Sequence, residues 1–491
     1  MCSRRRSMNG WCPTRLLDLS DPPSSTWKLC VAQDNGVADG APCQYMTLSY
    51  RWARDPTLIL TKDTLATFQQ GLPISDLPLL FRQVIDVARH FGVRYLWIDA
   101  LCIVQDWTKD WEREAAMMHK VYTNSVCNVA ALAADGPHES LFRDTDRKQI
   151  AAGPVETSLF SRKDARKRYA ISDLHYYKRQ FRGPLSNRGW VMQEKFLAPR
   201  VLYFGQHQVL WECLAEKKSE VFPRLQPGRS HVKNITALWD FIGPRPAPGT
   251  AAMSDELLAA WTRVLEEYVG CQLTYATDKL FAIAGIAHVF AEVSGDVITA
   301  GMWKNRMADQ LDWHVKRSLS RPAKFVAPSF SWASVDNTII NFPEPGYKAF
   351  VEVVEVTTPP DGQPCFLEVR GRMFAVSETP HHQPDDPPYL LHPLSRSKSE
   401  PDPGLAGLSL SMWPVDWDAT DDMPPIGAVS VVISSYFDSG DWIVLRAIVL
   451  VKSGLNGDRQ VYRRVGSVAV DCEDHQFDQL LTVEPTEFTW V

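Results

Sequence analysis

Short apolar runs alternate with segments of helical spacing in the early part of the chain. Residues 45–50 (YMTLSY) predict a first strand, and residues 95–103 (YLWIDALCI) predict a second strand that is buried on both faces. Residues 126–133 (VCNVAALA) predict a third strand of the same kind. Between these runs, residues 79–91 and the segment after Thr108 carry apolar side chains at helical spacing. This alternation predicts an α/β fold whose parallel sheet is covered by helices.

The pattern changes twice farther along the chain. Residues 185–213 predict a short helix that is followed by two strands. Residues 216–340 have helical spacing, and residues 341–491 have β-type runs. A polar insertion near 377–408 interrupts the β-type runs, and we expect it to be a mobile loop. We therefore predict an α/β domain at 1–215 with a polar start, a helical region at 216–340 and a β-rich C-terminal domain at 341–491.

The composition is that of a globular protein and argues against two classes of partner. The chain has 491 residues, of which 45% are hydrophobic and 22% are charged. The formal net charge of -6 gives no reason to expect nucleic acid as a partner. The longest apolar run, residues 442–451, contains Arg446 and is too short to span a membrane. We expect neither nucleic acid nor a membrane as a partner.

The ten Cys residues are scattered singly, without a C-x-x-C pair. Since no H-E-x-x-H motif occurs either, we expect no metal site. Cys102 and Cys127 lie inside apolar runs, which is typical of reduced core thiols. The N-terminal basic residues precede no apolar stretch, so they do not form a secretory signal. These features predict a cytoplasmic protein.

Asp99 interrupts an apolar run, and an ionised carboxylate is costly to bury unless it is paired. In parallel α/β sheets, ligands bind beyond the carboxyl ends of the strands. The predicted topology places residues 49–52 (SYRW) at that edge, with Asp99 and Gln105 near the end of the second strand. We expect Ser49 and Gln105 to hydrogen-bond Asp99. Two roles stay open for Asp99, which are to accept backbone N–H groups from the loop after the first strand or to contact a ligand.

Three linked stretches carry a resemblance to a known family. They are YMTLSYRWA at 45–53, LPLLFRQVIDVARHFGVRYLWIDALCIVQDWTKDWEREAAMMHKVYTNSVCNVAA at 77–131 and LSNRGWVMQEKFLAPRVLYFGQHQVLWEC at 185–213. In order, spacing and content they resemble the fungal heterokaryon incompatibility (HET) domain. Residues 273–287 (LTYATDKLFAIAGIA) and 328–336 (PSFSWASVD) are similar to the common extension of such proteins.

The chain departs from the family pattern at two of these stretches. Arg51 and Ala53 stand where the family usually has Cys and Gly around the Trp. Val191 and Met192 stand where it usually has Thr-Leu before Gln-Glu. The Arg51 change matters most, because it alters the charge at the predicted ligand-binding edge.

The resemblance implies a fold similar to Toll-like receptor (TIR) domains and a role in programmed cell death after fungal non-self recognition. Several TIR domains cleave NAD with a Glu that follows a Trp by four residues. Trp190 and Glu194 have this separation within RGWVMQE. The resemblance therefore implies that Glu194 is the catalytic residue of an NAD glycohydrolase, a hydrolase for which NAD is the substrate and no cofactor is needed.

Cleavage of the nicotinamide–ribose bond makes a sugar cation, which needs a nearby carboxylate, a dry pocket and an aromatic wall. Glu194 is the first catalytic candidate and Asp99 the second. Alternatively, Glu194 lies on a helix surface or pairs with Arg188 or Arg200. The candidates for substrate contact are Ser49, Tyr50, Arg51, Trp52, Gln105, Arg188, Trp190 and Gln193. Loop capping, core packing and surface ion pairs are the structural alternatives for these side chains.

Three function classes stay open, so the sequence does not decide whether the protein is an enzyme. The first is an effector of cell death that hydrolyses NAD or a related nucleotide. The second is a non-catalytic TIR-like adaptor that signals through self-assembly. The third is a HET-fold enzyme of secondary metabolism that acts on a small molecule. The expected partners are accordingly a nucleotide or metabolite, further copies of the chain and an upstream recognition protein.

Overall fold

The computed structural model describes residues 11–19, 25–32, 43–54, 58–144, 154–157, 167–170, 181–213, 216–221, 223, 246–316, 319–336, 340–343, 346–358, 365–380, 389–393, 413–422, 428–440, 442–456 and 459–491. The chain divides into two compact units. The first comprises Met1–Asp240 and Phe281–Ile286, and the second comprises Phe241–Leu280 and Ala287–Val491. The division into three domains at 215 and 340 stays a prediction.

The first unit contains strands and helices that alternate along much of its length. Its strands are β1 (Arg15–Asp18), β2 (Thr26–Val31), β3 (Tyr45–Ser49), β4 (Leu72–Pro73), β5 (Tyr95–Trp97), β6 (Cys127–Ala130), β7 (Pro154–Thr157), β8 (Lys167–Ala170), β9 (Arg200–Phe204), β10 (Val209–Cys213) and β11 (Lys217–Ser219). Its helices are α1 (Leu65–Gln70), α2 (Leu79–His90), α3 (Asp99–Cys102), α4 (Thr108–Thr123) and α5 (Gly189–Leu197).

The main sheet of the first unit has a parallel centre. Among the described residues its strand order is β11-β10-β9-β6-β3-β5-β1-β2-β4. Strand β3 pairs in parallel with β5 and β6, and β6 pairs in parallel with β9. The flanking pairs, β1 with β5 and β9 with β10, are antiparallel. The predicted α/β architecture with parallel strands is thus confirmed, although the sheet as a whole is mixed.

The four parallel strands follow a known topology. Numbered along the chain, their spatial order is 2-1-3-4, which is the start of the flavodoxin-like order. In this topology the connections leave in opposite directions from the first and third strands, which are β3 and β6 here. Ligands of such sheets bind at this switch point, beyond the carboxyl ends of the two strands.

Two predictions about strands are wrong. Strands β1 and β2 precede the strand that we expected to be the first, because short pairing segments are hidden in the polar start. The run 95–103 is not one strand, since β5 ends at Trp97 and α3 begins at Asp99. The N–H groups of Leu101 and Cys102 donate to the Ile98 carbonyl at 3.0 and 2.8 Å, which closes a helical turn. A short buried helix and a buried strand carry the same apolar pattern.

Cysteines occur both in a disulfide and as buried thiols. Cys12 and Cys43 form a disulfide across 31 residues, which the sequence did not lead us to expect. Cys102 and Cys127 are buried, and burial raises the pKa of the Cys102 thiol far above its ordinary value.

No helix in the described part of the chain is both long enough and apolar enough to cross a membrane. The cytoplasmic location stays a prediction.

The second unit contains a large sheet that is mostly antiparallel, with β25 and β26 paired in parallel. Its helices are α6 (Asp255–Val269), most of α7 (Phe281–Ser294) and α8 (Asp474–Leu481). Its strands are β12 (Ile298–Thr299), β13 (Met302–Trp303), β14 (His314–Val315), β15 (Ile340–Asn341), β16 (Lys348–Ala349), β17 (Glu352–Thr357), β18 (Phe366–Gly371), β19 (Met373–Pro380), β20 (Tyr389–Pro393), β21 (Trp413–Pro414), β22 (Asp416–Trp417), β23 (Ala428–Asp438), β24 (Ile443–Asn456), β25 (Arg459–Cys472) and β26 (Thr486–Trp490).

The β-type runs predicted for the C-terminal part correspond to real strands. The main sheet has the order β17-β18-β26-β25-β24-β23-β19-β20-β21 among the described residues. The predicted loop near 377–408 is wrong in part, because β19 extends to Pro380 and β20 covers Tyr389–Pro393. Residues 381–388 and 394–408 of that segment lie outside the described residues.

Candidate functional site

A chain of polar side chains links strands β3 and β6 to helix α5. The Ser49 hydroxyl donates a short hydrogen bond to the Glu194 carboxylate. Asn128 donates from Nδ2 to Ser49 Oγ at 2.9 Å, and its Oδ1 accepts from the Thr47 hydroxyl at 3.0 Å. All four side chains are buried. Ser49 is the last residue of β3, so the cluster reaches the β3–β6 switch point, where this sheet topology places ligands.

The surroundings of Glu194 raise the pKa of its carboxyl group. The residue is only 7% exposed. Burial raises the pKa of its carboxyl group from 4.5 to about 7, and the charge of Asp99 adds to this. The Ser49 hydrogen bond, the Arg188 charge and the Tyr122 hydroxyl lower the pKa, but by less. Glu194 can therefore hold or release a proton close to neutral pH.

Asp99 has specific partners, which resolves the question raised by its place in an apolar run. Its carboxylate accepts from Trp52 Nε1 at 2.7 Å and from the backbone N–H of Ala100 at 2.7 Å. The Tyr50 hydroxyl also lies within hydrogen-bonding reach. Asp99 is half-buried, so part of this residue faces solvent.

The partners that we predicted for Asp99 are wrong. Gln105 donates from Nε2 to the backbone carbonyl of Asp99 at 3.2 Å, not to its carboxylate. Ser49 pairs with Glu194 and Asn128 instead. The cause is helix α3, which turns the chain directly after β5 and directs the Asp99 side chain toward Trp52.

The two acids share one electrostatic environment. Burial raises the pKa of Asp99, and the Arg188 charge lowers the pKa of both Asp99 and Glu194. Tyr122 is fully buried, and its pKa lies well above the ordinary value because of burial and of the nearby Glu194 and Asp99 charges. Tyr50 shows the same effect. The structure thus brings together Asp99 and Glu194, which are 95 residues apart in sequence.

Arg188 and Trp52 lie at the more open side of this cluster. Arg188 donates from Nη1 to the Tyr50 carbonyl at 2.9 Å, which ties the start of α5 to the loop after β3. Trp52, Trp190 and Arg188 are each half-buried. Arg51, in contrast, forms an exposed ion pair with Asp135.

Gln193 is buried and engages the backbone of another helix. Its Oε1 accepts the N–H of Gly285 at 2.9 Å, and only 1% of the residue is exposed. Gly285 lies in the part of α7 that belongs to the first unit. A Cβ at this position would lie 2.6 Å from both Gln193 Oε1 and His119 Cβ. The close approach of α7 to α5 therefore requires glycine.

Gly285→Ala should destabilise the first unit by about 1–3 kcal/mol, because neither contact leaves room for a methyl group. Alanine is otherwise a better helix former than glycine by about 1 kcal/mol. The close contacts must therefore outweigh this gain for the variant to be less stable. Denaturant unfolding gives the measurement. Gly136→Ala is the control, since a Cβ there meets nothing within 4 Å. Equal stability of the two variants would show that α7 does not pack this closely.

Sequence reasoning missed Tyr122, Asn128 and Thr47. The signal for Asn128 was present, because an amide within the apolar run VCNVAALA needs a partner just as Asp99 does. Tyr122 belongs to an apolar helix stripe, and nothing local separates it from core residues. Among the described residues no group of three or more His, Cys, Asp or Glu is placed to hold a metal ion. The cluster itself offers two carboxylates, hydroxyl groups, the Trp52 indole ring and the Arg188 guanidinium group.

Comparison with known proteins supports one family. A family model described as heterokaryon incompatibility protein (HET) matches residues 45–194, from the first residue of β3 to Glu194. The match includes the whole polar cluster described above. Neither the curated proteins nor the solved structures yield a match. Residues 45–194 of this chain form a heterokaryon incompatibility (HET) domain.

Proposed function

We propose that the HET domain hydrolyses the nicotinamide–ribose bond of NAD or a related nucleotide, and that this activity promotes cell death in fungal non-self recognition. The observation that carries the proposal is the buried Glu194 carboxyl group, whose pKa is raised to about 7. It lies at the sheet's switch point, in the same cluster as Asp99. Perturbed carboxyl groups at such positions are typical of catalytic sites.

The fold supports the comparison with TIR domains that this proposal uses. The parallel strands of the first unit have the flavodoxin-like order 2-1-3-4. Trp190 and Glu194 lie on one short helix, α5, with the four-residue separation seen in NAD-cleaving TIR domains. A TIR-like fold for this domain, action in the cytoplasm and an upstream recognition partner are parts of the same proposal.

In the proposed reaction, the bond between the nicotinamide ring nitrogen and C1′ of the ribose breaks. Both electrons go to nicotinamide, which leaves as a neutral molecule. The ionised Glu194 carboxylate stabilises the sugar cation that remains, while Ser49 and Tyr122 hold the carboxylate in place. Water then bonds to C1′ and releases one proton, so the products are nicotinamide, ADP-ribose and a proton.

Asp99 acts in this proposal as a positioning residue. Its hydrogen bond fixes the indole ring of Trp52, which is half-buried and can form one wall of the nicotinamide site. Arg188 is directed toward the loop after β3 by the Tyr50 carbonyl and can pair with the pyrophosphate. Gln193 and Arg51 already have partners in the protein, so they contribute less to ligand contact.

Glu194→Ala should lower the rate of nicotinamide release from NAD at pH 8 about a hundredfold or more, because it removes the group that stabilises the sugar cation. The rate of the unmodified protein should fall as the pH drops below about 7, since Glu194 then takes up a proton. Nicotinamide is quantified by chromatography. Glu112→Ala, which removes an exposed carboxylate on α4, is the control with unchanged rate.

Three results would contradict the proposal in different ways. Turnover that survives Glu194→Ala would place the chemistry elsewhere in the protein. No turnover by the unmodified protein, together with concentration-dependent assembly, would favour the non-catalytic adaptor. No turnover and no assembly would favour an enzyme of secondary metabolism with another small-molecule substrate.

A further inference from the structure

The second unit contains a cavity that the proposed NAD chemistry does not use. Its volume is about 490 Å³, which lies within the range of about 300–1,000 Å³ that is usual for small-molecule sites. Gly270 to Thr274, Lys279 and Asp336 are among its lining residues. Two stretches singled out in the sequence, 273–287 and 328–336, therefore contribute to one cavity.

Lys279 is a buried cation held in a fixed position. Only 7% of the residue is exposed. Its ammonium group donates to the Val335 carbonyl and lies 5.5 Å from the ring centroid of Trp332. The Tyr268 hydroxyl donates to the Lys279 carbonyl at 2.5 Å. An ammonium group has three N–H donors, and Val335 is the one acceptor that the described residues supply.

Asp336 supplies the opposite charge at the same cavity. It is half-buried, and its negative charge raises the pKa of Lys279. Burial acts more strongly in the other direction and lowers the Lys279 pKa to about 8. The two side chains, both in the described part of the chain, do not approach within the 4.0 Å of a direct ion pair. A residue with a buried cation and a residue with a carboxylate thus line one cavity without forming a direct ion pair.

We propose that this cavity binds a small zwitterion of the α-amino acid class. The ligand's carboxylate pairs with Lys279, and its ammonium group pairs with Asp336. A buried charge is costly without a partner, and a zwitterion supplies a partner to both groups without adding net charge. A simple anion would instead lie near the Asp336 carboxylate. Gly270 to Thr274 form a further part of the cavity wall.

Titration of the full-length protein with a panel of the common L-amino acids tests this assignment. At least one amino acid should raise the Tm and bind in calorimetry. Its N-acetyl and methyl ester derivatives should each bind at least tenfold more weakly, because each lacks one of the two charges. Absence of binding by every member of the panel would overturn the proposal, and so would equal binding of the capped derivatives.

Two variants connect the binding to the two named charges. Lys279→Met should weaken binding of the best amino acid at least tenfold, while Lys279→Arg keeps part of the affinity. Asp336→Asn should remove the preference for the free amine, so that the N-acetyl derivative binds as well as the amino acid. Lys324→Met removes an exposed cation in the same unit and should leave binding unchanged. Unchanged affinity in Lys279→Met and Asp336→Asn, with native circular dichroism, would contradict the assignment.

Discussion

Arg464→Met should lower the free energy of unfolding of the second unit by about 3–5 kcal/mol, because it removes the cation that is hydrogen-bonded to a buried carboxylate and leaves only the more distant Arg321 beside it. The side chains of Arg464 and Asp418 are both fully buried. They pair through two contacts, Nε to Oδ2 at 2.8 Å and Nη2 to Oδ1 at 3.1 Å. The guanidinium group also donates to the carbonyls of Leu311 and Trp313 and lies 3.6 Å from the centroid of the Trp313 ring.

The loss is large because methionine replaces none of these hydrogen bonds. Asp418 would remain buried beside two carbonyl groups that also lose their donor. Burial already raises the pKa of Asp418, and Arg464 is the strongest group that opposes this rise. Without Arg464 the carboxyl group should take up a proton more readily. The destabilisation should therefore be smaller at acidic pH than at pH 8.

Native-state hydrogen exchange of the amides in β24 and β25 gives the free energy for this unit separately. Arg459→Met is the matched control on the same strand. Arg459 is 63% exposed and pairs with Glu368 at the surface, so its loss should cost about 1 kcal/mol or less. If Arg464→Met costs no more than Arg459→Met, the pair is not buried as the structure has it.

The elements that could be predicted from sequence are those with a strong local pattern. Helix α2 and strand β3 follow from apolar patterns alone, since the buried residues of α2 recur at helical spacing and those of β3 form one continuous run. Strand β5 and helix α3 lie in one short apolar run that only Asp99 interrupts, so apolar spacing does not divide them. Their boundary depends on tertiary contacts, including the hydrogen bond from Trp52 to Asp99.

The candidate site was predictable in part, for a similar reason. Asp99 and Asn128 stand out as polar side chains in apolar runs, and both prove to have specific partners. The partners themselves are distant in sequence, as with Ser49 and Glu194, which are 145 residues apart. Helix α5 buries Gln193 as well as Glu194, so amphipathic spacing does not mark its inner face. Only the resemblance to the HET family indicated Glu194 among the acids of the chain.

Glu194→Gln should stabilise the first unit by about 3 kcal/mol at pH 8 and leave its stability nearly unchanged at pH 4. Burial raises the pKa of Glu194 from 4.5 to about 7 in the folded protein. Between pH 4.5 and about 7, the Glu194 carboxyl group therefore holds a proton in the folded state that it has lost in the unfolded state. Stability therefore falls as the pH rises through this window, and the full penalty is present above pH 7. Glutamine is neutral throughout, so the variant escapes the penalty.

Hydrogen exchange of the β3 and β6 amides at pH 4, 6 and 8 measures this difference for the first unit. Glu139→Gln is the control with the opposite sign, because Arg143 lowers the pKa of the exposed Glu139 carboxyl group. Parallel pH dependence of Glu194→Gln and the unmodified protein would show that Glu194 is ionised freely in the folded state. A variant that gains stability while it loses nicotinamide release would support a functional reason for burying this acid, since packing alone would favour the amide.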